Sequence, residues 1–173
     1  MSETLTVLKT RRSCRAYKPE PIEEEKLNAI IEAGTYAATG MGKQSPIIIA
    51  VTDKALRDKL SKMNAAIMGV NIDPFYGAPE LLIVLANKEM PTYIYDGSLV
   101  MGNMMNAAAD LGVASCWIHR AKEEFESDEG RAILGDLGIT GEYEGIGHCV
   151  LGYPEGEVPK GADRKPGRVF YAG

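Results

Sequence analysis

The segment from Asp96 to Leu111 restricts the fold more than any other part of the sequence. Its apolar side chains recur at helical spacing, and only Asn103, Asn106 and Asp110 form a narrow polar stripe. A helix with so little polar surface has to be covered by other parts of the chain. We therefore predict that this helix lies in the centre of the fold.

Two continuous apolar runs predict buried strands in the same domain. They are Ile47 to Val51 and Leu81 to Ala86, and neither shows the alternation of a half-exposed strand. Two shorter runs, Val113 to Ile118 and Gly147 to Tyr153, predict further strands.

Four more segments have the spacing or the end signals of helices. They cover residues 3–10, 21–34, 53–67 and 122–136. Pro21 suits the first position of its helix, and Asp53 suits the N-cap of the next one. Together these elements predict a single domain over residues 1–173 in which helices are layered on a sheet, without the regular βαβ order of a dinucleotide-binding fold.

The overall charge argues against a nucleic acid as the main partner. The 173 residues include 24 acidic and 19 basic side chains, whereas a nucleic-acid-binding domain usually has a basic excess.

The longest apolar runs fall far short of the roughly 18 residues that cross a membrane, and the first residues lack the apolar segment of a secretory signal. Three scattered cysteines fit a reducing compartment better than a disulfide framework. We expect a cytoplasmic protein that binds neither nucleic acid nor membranes.

Positive charge collects near the two ends of this acidic chain. Arg11, Arg12 and Arg15 lie close together near the start, and Ser13 adds a hydroxyl group between them. The second group consists of Lys160, Arg164, Lys165 and Arg168. Arginine forks bind phosphate oxygens in bidentate geometry, so the two groups would form a phosphate site if they met in space. Two separate solvated patches are the other interpretation.

Residues 37–45 form a loop that joins the second predicted helix to the first strand. Its glycines allow the backbone to approach a flat ligand, Thr39 and Gln44 offer hydrogen bonds, and Lys43 adds a positive charge. This composition fits a cradle for a polar heterocycle, and it also fits a flexible connection.

Several familiar motifs are absent. Gly42-Lys43 is followed by Gln44 rather than by serine or threonine, so the Walker A pattern fails. The Gly-x-Gly at 145–147 lacks the next glycine of the dinucleotide fingerprint. The two histidines each have a cysteine nearby but not the local ligand spacing of a zinc site, so we expect no metal. No serine or cysteine has the surroundings of an activated nucleophile.

The end of the third predicted strand offers a further contact surface. Trp117 and His119 are placed there to contact a ring, although a lone histidine is more often structural or on the surface. The C-terminal segment 154–173 is rich in proline and glycine, and its one apolar run, Val169-Phe170-Tyr171, cannot bury a core of its own. This extension either frays or docks on another surface, and we expect it to dock on a partner subunit.

Four stretches of the chain carry a family resemblance. They are Arg-Arg-Ser-Cys-Arg-Ala-Tyr at 11–17, the loop at 38–46, the segment 77–84 and the segment 96–117. In their order and spacing they resemble the nitroreductase family of FMN-dependent oxidoreductases, over nearly the whole chain. The resemblance implies an α+β fold with a central mixed or antiparallel sheet flanked by helices, in an intertwined homodimer with FMN at the subunit interface.

The resemblance also implies an activity. Electrons would pass from NADH or NADPH through FMN to flat electron-poor acceptors, such as nitroaromatics or quinones, in a ping-pong cycle. Because the flavin carries the redox chemistry at its N5 atom, no catalytic side chain is expected. A flavin-binding protein that stores or senses FMN without turnover is the alternative, and an interaction protein without a cofactor is a third.

By position, the resemblance assigns the phosphate end of FMN to the two basic segments. Arg11-Arg12-Ser13 would hold the phosphate and the ribityl chain, and Arg164-Lys165 would join them from the tail. Arg15 would approach the ribityl or pyrimidine side.

The isoalloxazine ring is assigned to three other segments. Thr39, Met41 and Gln44 would line it, and Asn71, or else Asn64, would meet its polar edge. The backbone of Ile118-His119-Arg120 would lie near flavin N5 and O4. His119-Arg120 stands where many members have Glu-Gly, and the loop lacks several residues common in the family, so the sequence leaves substrate preference open.

Overall fold

A computed structural model describes residues 2–173 as an α+β domain. The helices of this range are α1 (Glu3–Thr10), α2 (Glu24–Thr35), α3 (Lys54–Met68), α4 (Tyr93–Asp110), α5 (Ala121–Glu126) and α6 (Asp128–Asp136). The strands are β1 (Pro46–Val51), β2 (Glu80–Asn87), β3 (Ala114–Ile118) and β4 (Tyr143–Gly152). Asp53 is the N-cap of α3, as predicted, and its carboxylate accepts a hydrogen bond from the Leu56 amide at 2.8 Å.

The strands form one antiparallel sheet in the order β1-β2-β4-β3. The expected α+β class is therefore confirmed, with an antiparallel rather than a mixed sheet. Strands β2 and β4 occupy the centre, and the side chains of Leu81 to Ala86 are completely buried. This confirms the doubly buried strand predicted there.

Helices cover both faces of the sheet, because successive strand residues point to opposite sides. On one face Leu82 and Val84 pack with Ile30 of α2 and Met104 of α4. On the other face the core is built from side chains of α3, α5 and α6, together with alternate strand residues. It includes Leu60, Leu81, Ile83, Phe125 and Ile133. Two apolar layers therefore fix the strand ends around which the candidate site is built.

Strand β1 is less buried than its sequence predicts. The run was expected to be covered on both faces, but β1 lies at an edge of the sheet. Ile47 and Ile48 are half-buried and Ala50 is exposed. A run of apolar residues indicates that a segment forms a strand. The position of that strand in the sheet depends on its pairing with distant segments, which the run does not show.

The helix predicted over residues 122–136 is two helices. Helix α5 ends at Glu126, and Ser127 caps α6 by accepting a hydrogen bond from the Gly130 amide at 3.0 Å. A Cβ at position 130 would overlap the carbonyl oxygen of Glu124, so the glycine allows the two helices to approach closely. The prediction of one continuous helix was wrong, because Ser127 was not recognised as an N-cap.

Helix α2 begins later than predicted. Its first residue is Glu24 and its N-cap is Glu23, so Pro21 lies outside the helix. The backbone amide of Ile22 donates a hydrogen bond to the buried Glu80 carboxylate at 3.1 Å. This long-range bond ties the preceding segment to β2, which the local sequence could not indicate.

Helix α4 packs against both α2 and the sheet, but it is not covered on all sides. Met101 and Met104 are completely buried, whereas Ile94, Tyr95 and Leu99 remain 48%, 71% and 49% exposed. The predicted central helix therefore has one uncovered apolar face. Within residues 2–173, no helix combines the length and the apolar character needed to cross a bilayer.

Candidate functional site

The first basic segment lies beside the C-terminal end of α4. A cleft of about 220 Å³ is bordered there by Arg11 and Arg12 and by Gly112 and Val113, which follow the helix. Arg12 Nη1 donates hydrogen bonds to the carbonyl oxygens of Lys9, at 2.9 Å, and of Arg11, at 2.6 Å. These bonds turn the Arg12 side chain back along its own segment and fix its direction.

Two cationic nitrogen atoms of this segment are buried without a hydrogen-bond partner among residues 2–173. They are Nη1 of Arg11 and Nε of Arg12. Leaving a buried charged donor unpaired is costly, so such donors normally meet an acceptor. Arg11 and Arg12, which border the cleft, therefore carry donors that no other group of residues 2–173 satisfies.

Backbone pairing holds the rest of the segment on the edge of the sheet. Ser13 forms a parallel bridge with Ser115 in β3, and the Cys14 amide donates to the Ser115 carbonyl at 3.0 Å. The Tyr17 hydroxyl donates to the Cys14 carbonyl at 2.9 Å. Ser13 is half-buried by this arrangement and Arg15 is exposed to solvent. The first basic segment is thus held by hydrogen bonds to β3 and within the segment, although it is a loop.

The C-terminal segment reaches the same place. Gly161 packs so closely on Arg12 that a Cβ at position 161 would overlap the guanidinium group. Arg164 and Lys165 follow a few residues later and are exposed. The chain therefore brings the start of its basic tail to the first basic segment, while the predicted contact of Arg164-Lys165 with a phosphate stays a prediction.

The loop with Thr39, Met41 and Gln44 is hydrogen-bonded and tightly turned. The Gln44 amide donates to Oγ1 of Thr39 at 3.0 Å. Met41 and Gln44 have φ angles of 54° and 50°, in the left-handed region that side chains with a Cβ rarely adopt. The hydrogen bond and these backbone angles define the course of the loop, and its role as a cradle for a heterocycle stays a prediction.

Asp96 anchors this loop to the first turn of α4. One carboxylate oxygen accepts a hydrogen bond from the Gly40 amide at 2.9 Å, and the other accepts from the Thr92 hydroxyl at 2.9 Å. The Asp96 side chain is only 3% exposed. Sequence reasoning used Asp96 only as the start of a helix, and its one available signal was a carboxylate in an otherwise apolar segment.

The loop and the arginine cleft lie at opposite ends of α4. Gly40 bonds to Asp96 near the start of the helix, whereas the cleft reaches Gly112, just past its end. The 14 residue steps from Asp96 to Asp110, the last residue of α4, span about 21 Å at the helical rise of 1.5 Å per residue. Within one chain, the two groups of residues are therefore separated by most of the length of α4.

The two asparagines considered for the flavin edge differ in surroundings. Asn64 is completely buried in α3, and its amide nitrogen donates to the His119 carbonyl at 2.9 Å. Its amide oxygen accepts from Nε of Arg120 at 2.9 Å. Asn71 is exposed in the loop after α3, beside a cleft of about 480 Å³. The amide of Asn64 is therefore bonded within the chain, whereas that of Asn71 is exposed, and the predicted contact of either one with the flavin stays a prediction.

The backbone at Ile118-His119-Arg120 leaves β3 in an unusual conformation. Arg120 has a φ angle of 76° and is the N-cap of α5. Ile118 is buried in the core and His119 is exposed. The segment is thus a sharp turn with one anchored end and one open side.

The fold and the cleft define an α+β protein that presents paired cationic donors beside its central helix. The model of the Nitroreductase family matches residues 8–153, and the chain belongs to this family. The resemblance inferred from the four sequence stretches is confirmed.

Three comparisons describe its relatives. A protein of Archaeoglobus fulgidus, described as a candidate NADH dehydrogenase/NAD(P)H nitroreductase, is 30% identical over 91% of this chain and 88% of its own length. A crystal structure of a nitroreductase with bound FMN from Bacteroides fragilis is 31% identical, with a TM-score of 0.91 over 99% of this chain and 100% of that one. A nitroreductase with bound FMN from Desulfitobacterium hafniense is 26% identical, with a TM-score of 0.88 over 99% of both chains.

Proposed function

We propose that the protein is an FMN-dependent oxidoreductase that takes electrons from NADH or NADPH and passes them to flat electron-poor acceptors, such as nitroaromatics and quinones, in a ping-pong cycle. Membership of the nitroreductase family supports the oxidoreductase class. The two similar crystal structures are described as containing bound FMN, which supports the choice of cofactor. The relative from Archaeoglobus fulgidus is named for NAD(P)H, which supports the choice of electron donor. The free, buried Cys14, Cys116 and Cys149 suit the reducing conditions of the cytoplasm, where we place the protein.

The observation that carries this proposal is the pair of buried, unpartnered donors on Arg11 and Arg12. A phosphate monoester is a dianion with several acceptor oxygens, and guanidinium groups bind it in charge-assisted hydrogen bonds. Ser13 adds a neutral donor next to them, and the tail contributes Arg164-Lys165. The residues present therefore fit the phosphate end of FMN.

The distance along α4 supports a site shared by two chains. One protomer would supply Arg11-Arg12-Ser13, Arg15 and the turn at Ile118-His119-Arg120, and its partner would supply the loop with Thr39, Met41 and Gln44. Asn71 would meet the polar edge of the ring. A homodimer built in this way contains two equivalent sites, as two-fold symmetry requires.

Uncovered apolar side chains mark the surface that such a dimer would bury. Ile94, Tyr95 and Leu99 on α4 are large and exposed, and Leu5 and Leu8 on α1 are about half exposed. In the tail, Phe170 and Tyr171 are 88% and 95% exposed. Apolar surface of this kind is characteristic of an interface. We place residues 154–173 on the partner subunit for this reason.

When bound, FMN supplies the hydride chemistry, and the chain supplies binding, orientation and electrostatics. Arg15 and Lys43 would place positive charge on the N1 and O2 side, where negative charge develops upon reduction. Backbone amides at Ile118-His119-Arg120 would orient the N5 and O4 side. The exposed side of this turn leaves room for a donor and then an acceptor.

The test starts with the colour of the purified protein. We expect bound flavin in the visible spectrum, released as FMN upon denaturation, and loss of its absorbance when NADH or NADPH is added without oxygen. Double-reciprocal plots at several acceptor concentrations should be parallel, as in a ping-pong cycle. A flavin that neither donor reduces would indicate storage or sensing, and a colourless protein that FMN does not bind would contradict the proposal.

A further inference from the structure

Asn64 links helix α3 to the turn that follows β3. Its amide is completely buried. The amide nitrogen donates a hydrogen bond to the His119 carbonyl, and the amide oxygen accepts one from Nε of Arg120, both at 2.9 Å. A backbone acceptor and a side-chain donor of consecutive residues are thus held by one side chain. Few groups can do this, because the task requires a donor and an acceptor at one terminus.

The turn held by Asn64 is strained. Arg120 has a φ of 76°, where the Cβ of any residue except glycine meets its own backbone. Two hydrogen bonds hold Arg120 in this conformation: its Nε donates to Asn64, and its carbonyl accepts from the Glu124 amide of α5 at 3.0 Å.

We propose that Asn64 is a positioning residue that sets the direction of the backbone at Ile118-His119-Arg120. The inference rests on the proposed function, in which this backbone faces flavin N5 and O4. Asn64 acts from behind the turn, because its side chain is completely buried and each of its amide atoms has a partner within the chain. Its bonds hold the left-handed turn, and the turn aims the amides.

The test compares Asn64→Ala with Asn103→Ala. Asn103 is a suitable control because it is another asparagine on a helix, half-buried, whose amide donates one hydrogen bond to a carbonyl, that of Ala33, at 3.1 Å. Holoproteins of both variants are examined by visible circular dichroism, flavin midpoint potential and steady-state kinetics. We expect Asn64→Ala to change the dichroism and the potential and to lower kcat roughly tenfold, because the amides are misdirected. Asn103→Ala should leave both spectroscopic readouts unchanged.

Rescue by glycine separates positioning from general stability. In the Asn64→Ala background, Arg120→Gly should restore the dichroism and the potential toward wild type, because glycine adopts a φ of 76° without strain. Arg120→Ala should not, because alanine keeps the Cβ. If Asn64→Ala does not fold, the two Arg120 substitutions are compared in the wild-type background, where alanine should disturb the flavin signals more than glycine.

The possible failures are distinguishable. A wild-type protein that takes up no FMN overturns the proposed function, and this inference with it. Normal FMN binding with unchanged dichroism, potential and kcat in Asn64→Ala overturns the inference alone. Equal changes in Asn64→Ala and Asn103→Ala, or equal effects of glycine and alanine at position 120, also overturn it.

Discussion

Asp96 accepts a hydrogen bond from the Gly40 amide at 2.9 Å, and this bond joins the loop of the candidate site to the first turn of the central helix. The second carboxylate oxygen is taken by the Thr92 hydroxyl. A carboxylate near the start of a helix also faces the positive end of the helix dipole. The buried acid is therefore used to shape a loop whose Met41 and Gln44 have left-handed backbone angles.

Replacing Asp96 by alanine should weaken both the fold and flavin binding. The Gly40 amide loses its acceptor, which costs about 1–3 kcal/mol, and the loop is then free to leave its strained turn. Urea unfolding and FMN titration measure the two effects. Asp110→Ala, at the exposed end of the same helix, is the matched control. Unchanged FMN affinity in Asp96→Ala would show that the anchored loop plays no part in binding.

Arg11→Gln and Arg12→Gln should weaken FMN binding but leave riboflavin binding nearly unchanged. A charged hydrogen bond contributes about 1.5–3 kcal/mol, so each substitution should raise the dissociation constant of FMN by roughly 10- to 100-fold. Riboflavin lacks the phosphate and does not use these donors. Lys18→Gln, which removes an exposed charge a few residues away, is the control. Equal losses for both flavins would place the arginines elsewhere than at the phosphate.

Mixed dimers test whether one site takes residues from two chains. One chain carries Arg11→Gln, and the other carries Thr39→Ala, which removes the acceptor of the Gln44 amide. If each site combines the arginines of one protomer with the loop of the other, one site of the mixed dimer is intact and binds one FMN with wild-type affinity. If both groups came from the same chain, both sites would be impaired, and no high-affinity binding would be found.

Much of the fold could be predicted because local signals and tertiary structure agree. Leu81 to Ala86 form a fully buried strand, and Asp53 caps its helix. The edge position of β1 and the break at Ser127 were missed. Strand order depends on contacts between distant segments, and a cap in the middle of a helical pattern looks like an ordinary polar residue.

For the site, the sequence predicted which residues take part but not how they are buried or bonded. The sequence placed Arg11 and Arg12 near an anion, and the structure adds that two of their donors are buried and unpaired. It could not separate Asn64 from Asn71, because both are asparagines in the same region. Only the bonds of Asn64 to the turn after β3 show that its amide is already occupied.

Asp73 should make the protein lose stability as the pH falls into the acidic range. Burial alone would raise the pKa of this carboxyl, but hydrogen bonds from Arg57 Nη2 at 2.5 Å, the Ser61 hydroxyl and the amides of Phe75 and Gly77 outweigh burial and lower the pKa. A pKa lowered by folding stabilises the fold above the ordinary value of 3.8, and this contribution is lost as pH falls through the lowered pKa. The gap in unfolding free energy between wild type and Asp73→Asn should therefore be largest near neutral pH and shrink below pH 3.8. Urea unfolding across that range measures it, and a constant gap would contradict the assignment.

Glu80 should change the pH dependence of stability in the opposite direction, so it serves as a control for Asp73. Burial raises the pKa of this carboxyl, and the hydrogen bond from the Ile22 amide only partly opposes the rise. A raised pKa means that the folded state holds its proton to higher pH than the unfolded chain, so stability falls as pH increases from the ordinary value of 4.5 through the raised pKa. Wild type should therefore lose stability relative to Glu80→Gln as pH rises through this window, in the same unfolding experiment. A gap that moves in the direction found for Asp73 would mean that the Ile22 bond, and not burial, dominates at β2.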